Sequence, residues 1–244
     1  MERRLLPARW QVLSGSWLKV IAMLSMLVDH TASYVLRHCE GFVDPLYTIG
    51  HTQVSWYFLM RCVGRLAFPL FAFLLVEGFI HTHDRRKYGS NLLLFALISE
   101  IPWNLTHGGH LYGPSQNVLF TLFLGFLALC LVGQWEQGHV STKRFALGLF
   151  GLIIFNIILR ADYGNFGIGF ILQLYVLRRN RILQAAIGCT YLSMRWIAGL
   201  AFIPINLYNG RRGFIRGQFG KYLFYVFYPL HLLVLYFVSR AVTG

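Results

Sequence analysis

Residues 17–36 read WLKVIAMLSMLVDHTASYVL, and this run decides the class of protein to which the chain belongs. At about 1.5 Å per residue, a helix over this run is long enough to cross the roughly 30 Å hydrocarbon core of a bilayer. The run contains Asp29 and His30. Because ionisable side chains are costly inside a membrane, such a pair marks a functional site by default. The alternative is that both side chains hydrogen-bond to neighbouring helices and only fix their packing.

The composition of the chain also indicates an integral membrane protein. Hydrophobic residues make up 56% of the sequence and charged residues 13%, whereas about a quarter of the residues in a soluble domain are charged. No small-residue cleavage site follows the first run, so we expect it to be retained as a span and not removed as a signal peptide. The net charge of +13 comes from basic residues at the ends of apolar runs, where topology signals lie. No basic stripe alternates with exposed aromatic residues, so the expected partner is the lipid bilayer and not nucleic acid.

Apolar segments continue through the rest of the chain. They lie at about 17–37, 56–80, 89–107, 117–135, 145–160, 166–177, 182–195, 196–208 and 222–239. The sixth to eighth are shorter than the roughly 17–25 residues of a comfortable span. The predicted fold is therefore an all-α integral membrane protein. It has a basic lead at 1–16 and a single polytopic helical bundle at 17–240, with about eight to ten transmembrane helices.

The charge of the connections between these segments alternates along the chain. Basic residues occur at Arg3, Arg4 and Arg9, and in the ranges 85–87, 143–144, 178–181 and 211–212. The intervening connections at 38–55, 105–116 and 161–165 are nearly free of lysine and arginine. Basic loops stay on the cytoplasmic side of a membrane, so this pattern predicts a cytoplasmic N-terminus.

Counting along ideal helices places several ionisable side chains at a similar depth. They are Asp29, His30, Arg61, Arg65, Glu100 and His231. Because lipid would make each of them costly, we expect these side chains to face one another or a water-filled cavity.

An imidazole beside a carboxylate is suited to proton abstraction, because the carboxylate orients the ring and stabilises the imidazolium. Either Asp29 or Glu100 could orient His30. The arginines could instead neutralise both carboxylates as buried pairs. No metal is expected, because the two histidines and two carboxylates of this layer have no HxxxH or ExxH spacing and nearby arginines would repel a cation.

Several motifs resemble the TraX family, which is named for the F-type conjugative pilin acetylase. They are SGSWLKVIAMLSMLVDH (14–30), GRLAFPLFAFLLVEGFIHTHDRRKY (64–88), LLLFALISEIPWNL (92–105), NVLFTLFLGF (117–126), DYGNFGIG (162–169), LYNGRRG (207–213) and KYLFYVFYPLHL (221–232). The resemblance implies a multi-pass protein of the bacterial inner membrane. It also implies that the protein uses acetyl-CoA to acetylate the N-terminal amine of pilin.

The chain more distantly resembles the transmembrane acyltransferases, including the acyltransferase-three family. In that family a basic residue lies eleven positions before a catalytic histidine, as Lys19 does before His30. The segment from Tyr228 to His231 resembles a later motif of the same family. One departure is that Lys19 stands where arginine is more usual. For this broader group the acceptor could be a pilin, another peptide amine or a glycan hydroxyl.

A mechanism follows as a hypothesis. His30 would take the proton of the acceptor, and Arg61 or Arg65 would hold the developing oxyanion. Tyr225 and Tyr228 are interpreted as packing residues. The candidate acetyl-CoA contacts are Lys19, Arg85, Arg86, Lys87, Arg211 and Arg212.

Three alternatives remain open at this point. The basic loops could serve only as topology signals. The ionisable layer could belong to a proton- or anion-coupled transporter, although the sequence shows no inverted repeat. The chain could also be a structural component of a secretion or conjugation assembly.

Overall fold

The computed structural model describes residues 5–111, 113–215 and 217–243. Arg3 and Arg4 of the basic lead therefore lie outside the described residues. The α-helices are α1 (Gly15–Tyr34), α2 (Trp56–Gly64), α3 (Ala67–His81), α4 (Arg85–Gly108), α5 (Val118–Glu136), α6 (Thr142–Leu159), α7 (Gly164–Val176), α8 (Arg181–Tyr191), α9 (Phe202–Asn206) and α10 (Gly217–Thr243). Short 3-10 helices cover Ala8–Trp10, Leu36–His38 and Ser193–Ala201.

The predicted all-α membrane fold is confirmed. Segments long and apolar enough to cross a membrane are Gly15–His38, Trp56–His81, Val118–Glu136, Thr142–Leu159 and Tyr222–Thr243. Gly164–Val176 and Ile197–Asn206 are shorter apolar helices. The helix α4 has 24 residues, but its composition is too polar for it to count among the long apolar segments.

Two predicted segments differ in detail from the structure. The segment predicted at 56–80 is divided into α2 and α3, which meet at Arg65 and Leu66. Pro69 in the first turn of α3 has no N–H to donate to the carbonyl of Arg65, so a continuous helix is interrupted there. The segment predicted at 196–208 forms the end of a 3-10 helix followed by α9.

The long connection between α1 and α2 contains a small antiparallel hairpin that the sequence did not predict. Its strands are β1 (Tyr47–Ile49) and β2 (Thr52–Val54). Both strands are largely exposed, so no alternation of buried and exposed side chains distinguished them from a loop.

The connections between the membrane-crossing segments lie at two ends of the bundle. We call the end at which α1 begins the basic end, since the ranges 85–87, 143–144, 178–181 and 211–212 lie there. Two contacts join these connections: the Gly15 N–H donates to the Arg211 carbonyl at 2.8 Å, and Arg178 pairs with Glu136 at 3.0 Å. We call the other end, where α1 ends, the opposite end.

The helix α3 forms the centre of the bundle. It packs against α1, α5 and α7, and Leu70 and Phe73 on it are fully buried. The helix α6 lies at the periphery and exposes large apolar side chains such as Phe150 and Ile158. A helix that is apolar all round is suited to the centre of a membrane bundle, and an apolar peripheral face is suited to lipid.

Candidate functional site

A cavity of about 940 Å³ occupies the opposite end of the bundle. Its walls come from the last turns of α1 and α4, the first turns of α2, α3 and α5, and one side of α10. The exposed residues Arg37 and Arg240 lie at its rim, so the cavity reaches the surface. At its inner end lies Phe224, whose ring centroid is 5.0 Å from the ammonium nitrogen of Lys19. The volume is within the range of small-molecule sites.

His30 lies in the wall of this cavity and is hydrogen-bonded to His231 behind it. The distance from His30 Nδ1 to His231 Nε2 is 2.7 Å, and the two rings are parallel with centroids 5.0 Å apart. His231 is only 6% exposed. Its other nitrogen, Nδ1, lies 2.8 Å from the Phe227 carbonyl.

This chain of contacts determines which nitrogens carry protons. A carbonyl can only accept, so His231 Nδ1 carries a proton and donates it to Phe227. In neutral His231 the Nε2 atom is then an acceptor, and His30 Nδ1 must be the donor. Neutral His30 therefore holds its lone pair on Nε2. A histidine in this tautomer can accept a proton at Nε2 and donate a stronger, charge-assisted hydrogen bond from Nδ1.

Asp29, next to His30 on α1, forms a different pair. Its carboxylate binds the guanidinium of Arg61 on α2, and the same Arg61 nitrogen donates to the Ser33 hydroxyl at 2.7 Å. Gly64 provides the necessary space, because a Cβ at that position would overlap the Asp29 carboxylate. All four residues line the cavity. The structure thus realises the alternative in which an arginine neutralises Asp29.

Glu100 has yet another environment. Its Oε2 atom accepts a hydrogen bond of 2.7 Å from the side-chain amide of Asn117. The oxygen of that amide caps α5 by accepting from the Leu119 N–H at 3.0 Å. Among the described residues, Glu100 and Arg65 do not line the cavity. The expected single layer of ionisable side chains is therefore divided. Glu100 is bound to Asn117, and Arg65 follows the last residue of α2.

The basic residues predicted to bind acetyl-CoA lie at or near the basic end. Arg85 packs its guanidinium 4.4 Å from the ring centroid of Phe79. Arg86 and Lys87 are exposed. Asp84 caps α4 by accepting from the Lys87 N–H at 2.8 Å, so part of the N-terminus of this helix is already bound. The exposed side chains of Arg86 and Lys87 remain available for an anion.

The segment around Arg211 and Arg212 binds the start of α1 through its backbone. The Arg211 and Arg212 carbonyls accept from the N–H groups of Gly15 and Ser16 at 2.8 and 2.9 Å. Ser14 lies at the N-cap position of α1, but its side chain forms no capping hydrogen bond. Both arginine residues are exposed.

Two further residues of the cavity were not predicted from the sequence. Tyr34 Oη lies 3.3 Å from His107 Nε2, and His107 Nδ1 lies 2.9 Å from the Trp103 carbonyl. Tyr34 lies four residues after His30, so one turn of α1 places both on the same face. That spacing was the available signal. His107 lies on α4 and not on the helix of His30, so no spacing in the sequence could place it at the cavity.

Tyr228, interpreted from the sequence as a packing residue, is another residue at the cavity. It is 4% exposed and lines the cavity, three residues before His231 on α10. The spacing of three residues on a helix places it beside His231, and their ring centroids are 5.6 Å apart.

No cluster of three or more histidine, cysteine, aspartate or glutamate side chains among the described residues could hold a metal ion. The site is a cavity with His30 and an aspartate–arginine pair in its wall, and His231 is hydrogen-bonded to His30 behind that wall. Together with the apolar helices, it defines a polytopic α-helical membrane protein with an ionisable cavity at one end.

The family described as TraX protein matches residues 14–239, so the chain belongs to the TraX family. It is also similar to the probable fimbrial assembly protein FimC, serogroup H1, of Dichelobacter nodosus, with 32% identity over 253 aligned positions. That alignment covers 91% of this chain and 94% of the relative. No solved structure gives a significant match. The predicted family is confirmed, while the link to the broader acyltransferases stays a prediction.

Proposed function

We propose that the protein is a membrane-embedded acetyltransferase that uses cytoplasmic acetyl-CoA to acetylate an acceptor amine or hydroxyl. The observation that carries this proposal is the histidine pair in the cavity wall. His231 holds His30 in the tautomer whose Nε2 lone pair can accept a proton, and His30 lines a cavity that opens to the surface. The membership of the TraX family supports the same chemistry through the resemblance given above.

The histidine pair explains how the acceptor becomes a nucleophile. The Nε2 atom of His30 takes a proton from the acceptor as its nitrogen or oxygen attacks the thioester carbonyl. The resulting imidazolium is stabilised by its Nδ1–H bond to His231. The carbon–sulfur bond then breaks, and His30 returns the proton to the departing thiolate of CoA. His30 is neutral again at the end of the cycle.

The ion pair beside His30 has a separate role. Arg61 is bound by Asp29 and Ser33, so its guanidinium has a fixed position in the cavity wall. A fixed cation beside the reacting group favours negative charge that develops during the reaction. Arg61 therefore provides electrostatic support, whereas Arg65 does not line the cavity.

The donor enters from the basic end, which we place in the cytoplasm of a bacterial inner membrane by the positive-inside rule. Phe224 lies at the inner end of the cavity and Lys19 lies beside it, so a thioester arriving from the basic end would meet the cavity there. Exposed side chains at the basic end can bind the phosphates of CoA by charge-assisted contacts: Arg86, Lys87, Arg211 and Arg212.

The acceptor enters from the opposite end. The relative from Dichelobacter nodosus is named as a probable fimbrial assembly protein, which supports a pilin or pilin-like peptide as the acceptor. An N-terminal amine on a flexible peptide would fit a cavity that is open at its rim. A glycan hydroxyl is the second acceptor chemistry that the same base could serve.

The proposal is tested with the purified full-length protein, acetyl-CoA labelled in its acetyl group, and a synthetic pilin-type peptide with a free N-terminus. We expect transfer by the wild-type protein. We expect a loss of at least about 100-fold in His30→Ala, because general acid–base catalysis contributes this much or more. His139→Ala, which changes an exposed histidine at the basic end, is the matched control and should retain activity.

Retained transfer in a folded His30→Ala protein would contradict the proposed role of His30. The transporter alternative predicts a different result. Proton or anion flux in vesicles that needs no acetyl-CoA and is abolished by His30→Ala would favour transport over acetylation.

A further inference from the structure

The cavity wall contains another histidine, His107, whose contacts also determine its tautomer. Its Nδ1 atom lies 2.9 Å from the Trp103 carbonyl. A carbonyl can only accept, so Nδ1 carries the proton of neutral His107. The other nitrogen, Nε2, is then an acceptor, and it lies 3.3 Å from Tyr34 Oη. The Tyr34 hydroxyl therefore donates to His107 Nε2, and the two side chains form a donor–acceptor pair.

This pair lies between His30 and the rim of the cavity. Tyr34 follows His30 by one turn of α1, and their ring centroids are 5.2 Å apart. The ring centroid of His107 is 5.4 Å from that of Tyr34. Both residues of the pair line the cavity, the hydrogen bond between them is exposed, and His107 is an exposed residue. A substrate beside His30 can therefore reach the Tyr34 hydroxyl.

His107 is suited to carry a positive charge. It lies in the last turn of α4, where the negative end of the helix dipole favours a cation. Asp162 also lines the cavity and is close enough to His107 to interact with it electrostatically. Asp162 Oδ1 accepts a hydrogen bond of 3.0 Å from the Tyr163 N–H. A neighbouring carboxylate stabilises an imidazolium.

The proposed acetyl transfer leaves one proton without a base when the acceptor is an amine. A peptide amine has a pKa of about 7.7–8.0, so it is mostly an ammonium near neutral pH. The ammonium has three N–H bonds and the amide product has one, so two protons leave the nitrogen. His30 passes only one of them to the thiolate of CoA. The other must leave before the attack, because an ammonium has no lone pair.

We propose that Tyr34 and His107 remove this first proton from an acceptor ammonium and release it at the opposite end. This inference rests on the proposed acetyl transfer and adds two catalytic residues to it. The ammonium donates a proton to Tyr34 Oη while the Tyr34 proton passes to His107 Nε2, so Tyr34 ends neutral. The His107 imidazolium then loses its proton to water at the exposed side of the cavity. The neutral amine attacks the thioester, and His30 takes the second proton.

The other charged groups of the cavity wall do not replace this pair. They are Asp29, Arg61 and Asp162, with Arg37, His38 and Arg240 towards the rim. Carboxylates and guanidinium groups keep their charge from about pH 6 to pH 9, so they do not titrate with the amine. The side chain of His38 forms no hydrogen bond to a described residue, so it lacks the link to His30 that Tyr34 gives to His107.

The test measures kcat/KM for the acceptor in the wild-type protein, His107→Ala, Tyr34→Phe and His110→Ala. His110 is an exposed histidine at the same end that does not line the cavity, so it is the matched control. With a peptide amine, His107→Ala and Tyr34→Phe should lose about tenfold near pH 7, where about a tenth of the amine is neutral, and should approach the wild type near pH 9. The same peptide ending in an acyl hydrazide, which is uncharged at neutral pH, should be acetylated equally by all four proteins.

Equal losses with the amine and the hydrazide at every pH would assign His107 and Tyr34 to packing, and would overturn this inference while leaving the proposed function intact. Wild-type kcat/KM for the amine in His107→Ala near neutral pH would overturn it as well. A wild-type protein that acetylates neither peptide would overturn the proposed function and this inference together.

Discussion

The two ends of the bundle contain similar residue types but use them differently. At the basic end, two of the arginines are bound to carboxylates: Arg178 pairs with Glu136 at 3.0 Å, and Arg181 pairs with Glu77 at 3.4 Å. At the opposite end, His30 faces a large cavity with a nitrogen that its partner leaves free. Charges that are satisfied within the protein organise the fold, whereas groups left unsatisfied beside a cavity indicate chemistry.

The cavities at the two ends show the same contrast. A smaller cavity at the basic end, of about 350 Å³, is lined by Glu77, Arg181 and Tyr208. Burial raises the pKa of the Tyr208 hydroxyl, and Glu77, which accepts its hydrogen bond, raises it further. Tyr208 therefore stays protonated as a donor to Glu77. The polar groups of this smaller cavity bind one another, so we assign it a structural role.

The largest effect should come from the residue that orients the base. His231→Leu removes the acceptor of the His30 Nδ1–H bond and should lower kcat by at least about 100-fold, because it frees the ring to adopt the wrong tautomer. His231→Gln supplies a carbonyl oxygen that can accept from His30, so it should retain more activity than the leucine variant. The measurement is kcat for acetyl transfer in the three proteins.

The difference in kcat between His231→Gln and His231→Leu measures the contribution of the hydrogen bond from His30. Equal activity in His231→Gln and His231→Leu would show that the hydrogen bond from His30 is not what His231 provides. Its role would then be packing on α10.

A smaller effect is expected at the basic end. In Arg211→Gln/Arg212→Gln, two exposed cations are removed, while the backbone carbonyls that bind α1 remain. The KM for acetyl-CoA should rise by roughly tenfold, the loss of about one charge-assisted contact, with kcat and thermal stability unchanged. The matched control is Lys143→Gln/Arg144→Gln, which removes two exposed cations at the start of α6.

An unchanged KM in the first double variant would return Arg211 and Arg212 to the role of topology signals. A similar rise in KM in both double variants would show a general effect of surface charge and not a binding site. Either result would mean that Arg211 and Arg212 do not form an acetyl-CoA binding site.

Much of the fold was accessible from the sequence because bilayer thickness constrains helix length. The apolar runs gave the membrane class and most helices, and the motifs gave the family. The interruption at Arg65 depended on Pro69, whose missing N–H acts one turn away. The hairpin at 47–54 could not be predicted, because its exposed strands carry no burial pattern.

Only part of the site could be predicted from the sequence. The depth count placed His30 and His231 at a similar level, and the structure joins them. The sequence left Asp29 and Glu100 as the alternatives for orienting His30 and did not predict His231 as its partner, because that choice depends on how far each helix is rotated about its axis.

The central claim is that the acetyl group passes from the basic end to an acceptor at the opposite end. The most direct measurement uses the full-length protein in sealed vesicles, with labelled acetyl-CoA outside and the acceptor peptide enclosed, compared with both substrates outside only. We expect peptide acetylation when the two substrates are on opposite sides of the vesicle membrane, and none when both are on the outside. Acetylation only when both substrates are on the same side would contradict it.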